Sequence, residues 1–337
     1  MRSHLPPILV AGAGSWGTAL AILLARNGQR TYLWGRNPAH IADLERDHQN
    51  RRYLPGVVFP QNLWPVSDLD QALQSTHDLI LAVPCAGLRE VLALLTQTSS
   101  ARQWRIAWAC KGFEPGTHKL IHEVIEEMLG RRQPMAAISG PNFAHEVAAG
   151  LPAAVTVASP DAEFARDLVT RLHRGAFRAY TSDDIIGVEV GGAVKNVLAI
   201  AAGVADGLEF GANTRAALIT RGLVEMIRIG TALNGRRETF MGLAGLGDLV
   251  LTCTDDRSRN RRLGLALAKG QTVEQATASI GQVVEGIRTA YEVDFLACKQ
   301  GIEMPITEQV ARLLKGECQP REAVQALLAR EPKQELG

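Results

Sequence analysis

Short apolar runs alternate with segments of helical spacing through the first half of the chain. Segments such as Thr18–Asn27 and Gly87–Thr96 repeat their apolar residues every three to four positions. Several runs are continuously apolar, which is typical of strands covered by helices on both sheet faces. The runs predict strands over Ile8–Ala11, Thr31–Trp34, Leu79–Val83, Ile106–Ala109, Ala136–Ile138 and Ala154–Ala158. Such alternation predicts a doubly wound, mostly parallel sheet with helices.

The pattern changes after about Asp183, where long Ala/Leu/Gly stretches with helical spacing replace the strand–helix alternation. Thr272 with Gln275 fits a capping box, and Pro305 fits a helix start. A chain of 337 residues also exceeds the roughly 250–300 residues at which a single core stops growing. We therefore predict an α/β domain over residues 1–187 and an all-helical domain over residues 188–337, with residues 331–337 frayed.

Charge and cysteine content narrow the class of protein. Lys and Arg number 36 against 35 Asp and Glu, a net charge of +1, which argues against a protein that binds nucleic acid along its surface. No apolar run approaches the roughly 18–20 residues of a membrane span, and the N-terminal residues lack the features of a secretory signal. Five scattered cysteines without a CxxC pair indicate reduced thiols. The sequence predicts a cytoplasmic protein.

A glycine motif follows the first predicted strand directly. Gly12-Ala13-Gly14-Ser15-Trp16-Gly17 precedes a helix predicted to open at Thr18. In this motif Gly12 permits a tight turn, Gly14 lets the backbone approach a pyrophosphate, and Gly17 permits close helix–strand packing. The position at a strand–turn–helix junction favours a Rossmann-like dinucleotide site over an ordinary glycine-rich turn.

The end of the second predicted strand bears on the choice of cofactor. An NAD site usually carries Asp or Glu there, whereas this chain has Trp34-Gly35-Arg36. The guanidinium of Arg36 can bind a 2′-phosphate, so NADP(H) is favoured over NAD(H). A solvated arginine at the strand end is the alternative. Arg51 and Arg52 are better interpreted as a solvated basic turn.

A lysine near the start of the helical domain is the candidate proton donor. The segment Glu189-Val-Gly-Gly-Ala-Val-Lys195-Asn196 puts Gly191 and Gly192 one turn before Lys195, on its side of the helix. Each glycine costs roughly 1 kcal/mol relative to alanine, which suggests that a substrate approaches this face. Lysine can protonate an oxygen while hydride arrives at carbon. A snorkelling lysine beside a helix–helix contact is the alternative.

Two further segments of the helical domain carry candidate chemistry. Phe240-Met-Gly-Leu-Ala-Gly-Leu-Gly-Asp248 ends in an acid that either orients a lysine or substrate hydroxyl, or caps a helix from Leu249. Arg257-Ser258-Arg259-Asn260-Arg261-Arg262 is compatible with a nucleic-acid patch, a phosphate pocket or a solvated face. The absence of interleaved aromatics disfavours the first, and the other two remain balanced.

Turns after two predicted strands are also candidates. Lys111-Gly112 and Ser139-Gly140-Pro141-Asn142 fall where the carboxyl ends of strands place ligands, although either could be simple turn chemistry. His118 and His122 have i,i+4 spacing, but a solvated helix face is a better interpretation than a metal site. The chain has neither a P-loop nor a nucleophile elbow, so hydrolase and kinase chemistry are not expected.

These motifs together resemble the family of bacterial NAD(P)H-dependent glycerol-3-phosphate dehydrogenases, which reduce dihydroxyacetone phosphate for phospholipid synthesis. The resemblance runs over nearly the whole chain in family order. It is carried by Gly12–Ala19, Lys111-Gly-Phe-Glu, Ser139-Gly-Pro-Asn-Phe-Ala-His-Glu, Glu189–Ala199, Asn213-Thr-Arg-Ala-Ala-Leu-Ile-Thr-Arg-Gly, Gly242–Asp248, Ser258-Arg-Asn-Arg and Val284-Glu-Gly.

The resemblance implies that Lys195 is the catalytic proton donor to the carbonyl oxygen, and that Ser258, Arg259 and Asn260 hold the substrate phosphate. We expect no metal site. The implied substrate contacts are Lys111, Gly140, Asn142, Lys195, Asp248, Ser258, Arg259 and Asn260. The expected cofactor contacts are Gly12, Gly14, Ser15, Trp16, Gly17, Arg36, Lys111, Ala144, Arg259, Val283 and Glu285. Asn142 departs from the family, which usually has Ser or Thr there, but an amide can still donate a hydrogen bond.

Two other functions are compatible with parts of the sequence. A two-domain dehydrogenase of 3-hydroxy acids would share the lysine–asparagine pair but would hold a carboxylate instead of a phosphate. A non-catalytic NADP(H)-sensing module would give no reason for the Lys195, Asp248 and Ser258–Asn260 set. A homodimer is one assembly that the resemblance implies, and the sequence does not choose among oligomeric states.

Overall fold

A computed structural model describes residues 5–98 and 104–331. They pack as two compact units. The first takes in the described part of Met1–Cys110 together with His122–Ile185, and the second Lys111–Ile121 together with the described part of Ile186–Gly337. Residues 111–121, which the sequence placed in the first domain, therefore pack within the helical unit. The fraying expected over 331–337 falls, beyond residue 331, outside the described residues.

The first unit is built on a large parallel sheet. Eight of its strands follow the order β10-β9-β8-β7-β6-β1-β2-β5, and every neighbouring pair is parallel except β8 with β9. The separate β3–β4 pair is an antiparallel hairpin. The strands among the described residues are β1 Ile8–Ala11, β2 Thr31–Trp34, β3 Gln49–Asn50, β4 Leu54–Val58, β5 Leu63–Val66, β6 Asp78–Leu81, β7 Arg105–Trp108, β8 Met135–Ser139, β9 Ala153–Ala158 and β10 Phe177–Ser182.

All six strands expected from the apolar runs are present, with ends displaced by at most two residues. The apolar runs did not indicate β3, β4, β5 and β10. Two of these, β5 and β10, are the edges of the sheet, where one side of the strand is solvated and polar residues or proline are tolerated. A continuous apolar run is a signal of central strands only, because only those are covered on both faces.

The order of the strands defines a ligand crevice in the first unit. The chain moves from β1 to β2 and β5 on one side of β1, then returns to β6 on the other side. Ligands of doubly wound sheets bind at the carboxyl ends of the strands where the order reverses, which here is the end of β1. The helices of this half of the chain are α1 Ser15–Arg26, α2 Pro38–Asp47, α3 Leu69–Leu73, α4 Cys85–Thr98, α5 Ile121–Leu129, α6 Ala144–Ala149 and α7 Ala162–Leu172.

The second unit has no strand among its described residues, so the predicted all-helical character is confirmed. Thr272 and Gln275 form the expected capping box, and Pro305 is the first residue of its helix. A 3-10 turn over Arg237–Met241 and a π-helical turn over Leu243–Gly247 precede the third helix. The helices are α8 Ile185–Gly207, α9 Gly211–Ala232, α10 Asp248–Thr254, α11 Arg259–Ala268, α12 Val273–Ile280, α13 Glu285–Gln300, α14 Pro305–Lys315 and α15 Pro320–Leu328.

Helix α8 is the core of the second unit. Contrary to the expectation from uninterrupted apolar runs, α8 is long and apolar enough to cross a membrane by length and composition, and no other helix of the described residues is. However, 89% of its most apolar stretch is buried inside the protein. Such burial is that of a core helix, whose apolar character serves packing against the helices around it. Lys195 lies at the middle of α8 and is buried there.

Candidate functional site

A buried carboxylate of the second unit binds two lysines at once. Lys195 Nζ donates to Asp248 Oδ1 over 2.7 Å, and Lys111 Nζ donates to Asp248 Oδ2 over 2.5 Å. Asp248 is 0% exposed, and the Lys195 side chain is 10% exposed. A buried charge is tolerated when it is paired and hydrogen-bonded. The three side chains therefore form an ion-pair cluster with a net positive charge.

The glycine-rich turn before α10 brings Asp248 to the lysine. A Cβ atom at Gly191 of α8 would lie 2.7 Å from the carbonyl oxygen of Ala244, so only glycine lets this turn pack on the helix. The close approach expected at this helix face is therefore present at Gly191, but the approaching group is the protein's own backbone and not a substrate. The alternative role of Asp248 as a side-chain cap is also wrong, because Gly247 is the N-cap residue and Asp248 binds the lysines.

Thr252 completes the surroundings of the Lys195 ammonium. It lies one turn after Asp248 in α10, and its Oγ1 accepts a hydrogen bond of 2.8 Å from Lys195 Nζ. An ammonium has three N–H donors, so one remains for a ligand once the described residues have taken two. Burial, assisted by the charge of Lys111, lowers the pKa of Lys195 to about 8, although Asp248 opposes the shift. Lys195 is thus charged at neutral pH and more acidic than an ordinary lysine.

A series of amide hydrogen bonds links Lys111 and Asn196, the residue after Lys195, to the start of α11. Asn196 Nδ2 donates to the Lys111 carbonyl over 3.3 Å, and Asn260 Nδ2 donates to Asn196 Oδ1 over 2.8 Å. Asn260 Oδ1 in turn accepts from the Gly286 N–H over 3.1 Å. One N–H of the Asn260 amide is left for a ligand. These hydrogen bonds hold Lys111, α8, α11 and α13 together.

The arginine-rich segment at the start of α11 divides into two kinds of residue. Arg261 is buried and binds Asp206 and Asp256, so it stabilises the helix start and cannot serve a ligand. Ser258 is the N-cap, and its Oγ accepts from the Arg261 N–H over 3.2 Å. Arg259 is exposed and has no hydrogen-bond or ion-pair partner within residues 5–98 and 104–331. Its guanidinium and the unpaired first-turn N–H groups can bind an anion.

In the first unit, the glycine motif has the shape that a dinucleotide requires. Gly12 has φ +126°, and a Cβ there would lie 2.5 Å from the Ala82 carbonyl oxygen. A Cβ at Gly17 would lie 1.9 Å from the Gly12 oxygen, whereas one at Gly14 would meet no atom within 4 Å. The loop is therefore packed beneath and open above Gly14, where a pyrophosphate would lie on the N-terminus of α1. Helix α1 begins at Ser15, earlier than the expected Thr18.

The contacts of Trp16 and Ser15 also support binding of a dinucleotide at this loop. Trp16 Nε1 is buried and has no hydrogen-bond partner among the described residues, so a polar ligand atom would satisfy it. Ser15 Oγ donates to the Tyr53 carbonyl over 2.7 Å, and Asn50 Nδ2 donates to the Ala13 carbonyl over 3.0 Å. The β3–β4 hairpin thus holds the glycine loop in place. No signal in the sequence indicated this role for Asn50.

The other expected contacts of the first unit follow β2 and β8. Arg36 comes two residues after β2 and pairs with Glu90. Gly140 and Asn142 follow β8, and Ala144 is the first residue of α6. Asn142 Nδ2 already donates to the Ala154 carbonyl over 2.7 Å, and its buried Oδ1 lacks a partner among the described residues. The buried group of Asn142 that lacks a partner is therefore an acceptor and not the expected donor. The second N–H of its amide makes no hydrogen bond to the described residues and can still donate to a ligand.

Family models match both units of the chain. The model described as the NAD-dependent glycerol-3-phosphate dehydrogenase N-terminus matches residues 7–165, and that of the C-terminus matches residues 184–325. The chain is 57% identical to the glycerol-3-phosphate dehydrogenase (NAD(P)+) of Nitrosococcus oceani. The aligned 329 residues cover 98% of this chain and 95% of that protein. The chain belongs to the NAD-dependent glycerol-3-phosphate dehydrogenase family.

Other members of the family are similar over their full length. The glycerol-3-phosphate dehydrogenase (NAD(P)+) of Aeromonas hydrophila is 56% identical over 329 residues, covering 97% of this chain and 98% of that protein. The crystal structure of the glycerol-3-phosphate dehydrogenase of Coxiella burnetii matches with a TM-score of 0.93 at 49% identity, covering 97% of this chain and 100% of that chain.

Within this glycerol-3-phosphate dehydrogenase fold, Lys111 and Lys195 each contact Asp248, and Asn260 is linked to the Lys111 carbonyl through Asn196. Val283 is exposed and precedes α13, whose first residue is Glu285. The remaining expected site residues, Gly12–Gly17, Arg36, Gly140, Asn142 and Ala144, belong to the first unit. The roles of Thr252 and Asn196 were not expected from the sequence, although Thr252 stands four positions after Asp248 and so faces the same side of a helix.

The histidines are not a pair on one helix. Helix α5 begins at Ile121, and His118 precedes it in a turn with φ +61°. The His118 ring stacks on Phe295 and its Nδ1 contacts Glu292, so the expected solvated helix face is wrong for this residue. Within residues 5–98 and 104–331, no group of three or more His, Cys, Asp or Glu side chains is arranged to hold a metal ion.

Proposed function

We propose that this chain reduces dihydroxyacetone phosphate to sn-glycerol 3-phosphate with NAD(P)H, a reaction that supplies the backbone of glycerophospholipids. The observation that carries the proposal is the buried Lys195 ammonium. It is held by Asp248 and Thr252 and has one N–H left among the described contacts, and the next residue, Asn196, is hydrogen-bonded to Asn260 in the first turn of α11. The proposed proton donor and the proposed phosphate contacts therefore belong to the same unit.

At the carbonyl end, the remaining N–H of Lys195 donates to the ketone oxygen. A bound NAD(P)H supplies the hydride to the carbonyl carbon. As negative charge develops on the oxygen, the Lys195 ammonium stabilises it and transfers its proton to form the hydroxyl group. Asp248 keeps the lysine in place, and Lys111 adds positive charge that makes Lys195 a stronger acid. In the reverse direction neutral Lys195 accepts the proton.

At the phosphate end, Arg259 supplies a charge-assisted hydrogen bond, while the Ser258 hydroxyl and the free N–H of Asn260 supply neutral ones. Binding this remote group orients the ketone towards Lys195, which can supply several kcal/mol of the barrier reduction. We assign further substrate contacts to Gly140 and Asn142.

The cofactor contacts follow from the shape of the glycine loop. The pyrophosphate would lie over Gly14 at the first-turn N–H groups of Ser15, Trp16 and Gly17, and Arg36 would bind a 2′-phosphate. Further proposed contacts are Lys111, Ala144, Arg259, Val283 and Glu285. NADPH is the preferred cofactor on the argument from Arg36, with NADH as a second one.

Location and assembly complete the proposal. We propose that the enzyme acts in the cytoplasm, which five free cysteines support. Its partner is the small-molecule substrate. The homodimer that the family resemblance implies is checked by sedimentation of the purified chain.

The test is loss of NADPH absorbance on addition of dihydroxyacetone phosphate, with NADH in parallel. Free dihydroxyacetone is the control for the phosphate site, and a 3-oxo acid is the control for a dehydrogenase of 3-hydroxy acids. We expect rapid oxidation with the phosphorylated ketone only. Oxidation with the 3-oxo acid instead would replace the proposed substrate class, and tight NADPH binding without any oxidation would favour a sensing module.

A further inference from the structure

Arg36 is already bound by an acidic side chain of the same unit. Its Nη1 lies 2.7 Å from Glu90 Oε2 in the second turn of α4. Both side chains are in contact with water, with 81% of Arg36 and 65% of Glu90 exposed. The residue proposed to recognise a 2′-phosphate thus has an anionic partner before any cofactor binds.

The ion pair lies across the carboxyl end of β1. On one side, the Gly12 N–H donates to the Trp34 carbonyl at the end of β2 over 2.8 Å. On the other side, the Ala82 N–H at the end of β6 donates to the Ala11 carbonyl over 2.7 Å. Arg36 follows β2, and the helix of Glu90 follows β6. The pair therefore joins the two flanks of the glycine loop, where the order of strands reverses and the cofactor would bind.

We propose that Glu90 is a specificity-determining residue, which competes with the cofactor's 2′-phosphate for Arg36 and so limits the preference for NADPH over NADH. The inference rests on the proposed use of a dinucleotide by this chain. A 2′-phosphate has to displace the carboxylate from the guanidinium, and the released carboxylate then faces a second anion. A cofactor with a 2′-hydroxyl makes no such demand, because it leaves the Arg36–Glu90 pair intact.

The sign of the effect follows from this competition. Glu90→Gln keeps the size of the side chain but removes its charge, so Arg36 is no longer held and the repulsion of a 2′-phosphate disappears. An exposed ion pair contributes little, so we expect the Kd of NADPH to fall by about two- to five-fold. The Kd of NADH changes less, and the ratio of the two constants shifts towards NADPH. The shift shrinks as ionic strength rises, because both charges are exposed.

The experiment is a fluorescence titration of the purified chain with NADPH and with NADH, in the absence of substrate. The variants are Glu90→Gln, Arg36→Ala and the double substitution. Glu127→Gln is the matched control, because Glu127 pairs with Arg89, the neighbour of Glu90 in α4, over 3.1 Å. We expect that control to leave both constants unchanged. In the Arg36→Ala background, the gain from Glu90→Gln shrinks to the part that comes from direct repulsion.

Two results would overturn the inference. If Glu90→Gln changed both constants by the same factor, Glu90 would not discriminate between the cofactors. If it weakened NADPH binding, Glu90 would orient Arg36 for the phosphate instead of competing with it. Turnover of dihydroxyacetone phosphate, measured in parallel, separates these failures from failure of the proposed function. Cofactor binding with the expected shift but without turnover would refute only the function, and a wild-type chain that bound neither cofactor would refute both.

Discussion

The carbonyl oxygen of Ala244 occupies the place where a side chain at Gly191 would begin. A Cβ atom at Gly191 would lie 2.7 Å from that oxygen and 3.2 Å from the carbonyl carbon. The contact lets the glycine-rich turn pack directly on α8, so that Asp248, the residue after the turn, reaches Lys195. A close backbone approach therefore determines the geometry of the proposed acid.

Gly191→Ala is expected to lower kcat by about 10- to 100-fold, because the turn must move and carry Asp248 away from Lys195. The Kd of NADPH should change much less than kcat, since the glycine loop and Arg36 lie in the other unit and only the proposed contact from Lys111 is close to the displaced turn. Steady-state kinetics and a binding titration measure the two effects. Gly87→Ala in α4 is the control, because a Cβ there meets no atom within 4 Å. Equal kcat in wild type and Gly191→Ala would mean that the turn does not position the acid.

Lys195→Met keeps the length of the side chain and removes its proton. We expect kcat for dihydroxyacetone phosphate to fall by about 10²- to 10⁴-fold, the range for loss of a general acid. Lys111 still pairs with Asp248, so the buried carboxylate keeps a partner and the fold should survive. Binding of NADPH, followed by fluorescence, should persist. Turnover that survived the substitution would refute the assignment of Lys195.

The pH dependence of the reaction should follow Lys195, whose pKa burial lowers to about 8. Reduction of the ketone needs the protonated ammonium, so kcat in this direction should fall as pH rises through about 8. Oxidation of glycerol 3-phosphate needs the neutral amine, so kcat should rise over the same interval. Asp248→Asn removes the charge that favours the ammonium, and it should move both transitions to lower pH. If the transitions did not move in this variant, a group other than Lys195 would be responsible for the pH dependence.

Arg259→Ala is expected to raise KM for dihydroxyacetone phosphate by about 10- to 100-fold, through loss of a charge-assisted hydrogen bond to the phosphate. Arg262→Ala, an exposed arginine of the same helix, is the matched control and should leave KM unchanged. Initial rates over a range of substrate concentrations measure both. If both substitutions raised KM equally, Arg259 would contribute only positive charge near the substrate and no specific hydrogen bond.

Parts of the site were accessible from sequence because their signal is local. The glycine motif is a contiguous run whose function follows from the backbone of one strand–turn–helix unit. Thr252 could have been found by its spacing from Asp248, because both lie on one face of α10. Asn50 and Glu90 gave no such signal, since each acts on a residue that is distant along the chain.

By itself, the sequence determined the fold class, the central strands, the helical second unit and the presence of a lysine and an arginine-rich helix start. Periodicity encodes these features, because an element that buries one face must repeat its apolar residues along the chain. Only the tertiary structure decided that Asp248 binds two lysines, that Arg261 is used internally while Arg259 is exposed, and that Ala244 fills the space at Gly191. Pairings between distant segments depend on packing and on the desolvation of charges, neither of which local spacing records.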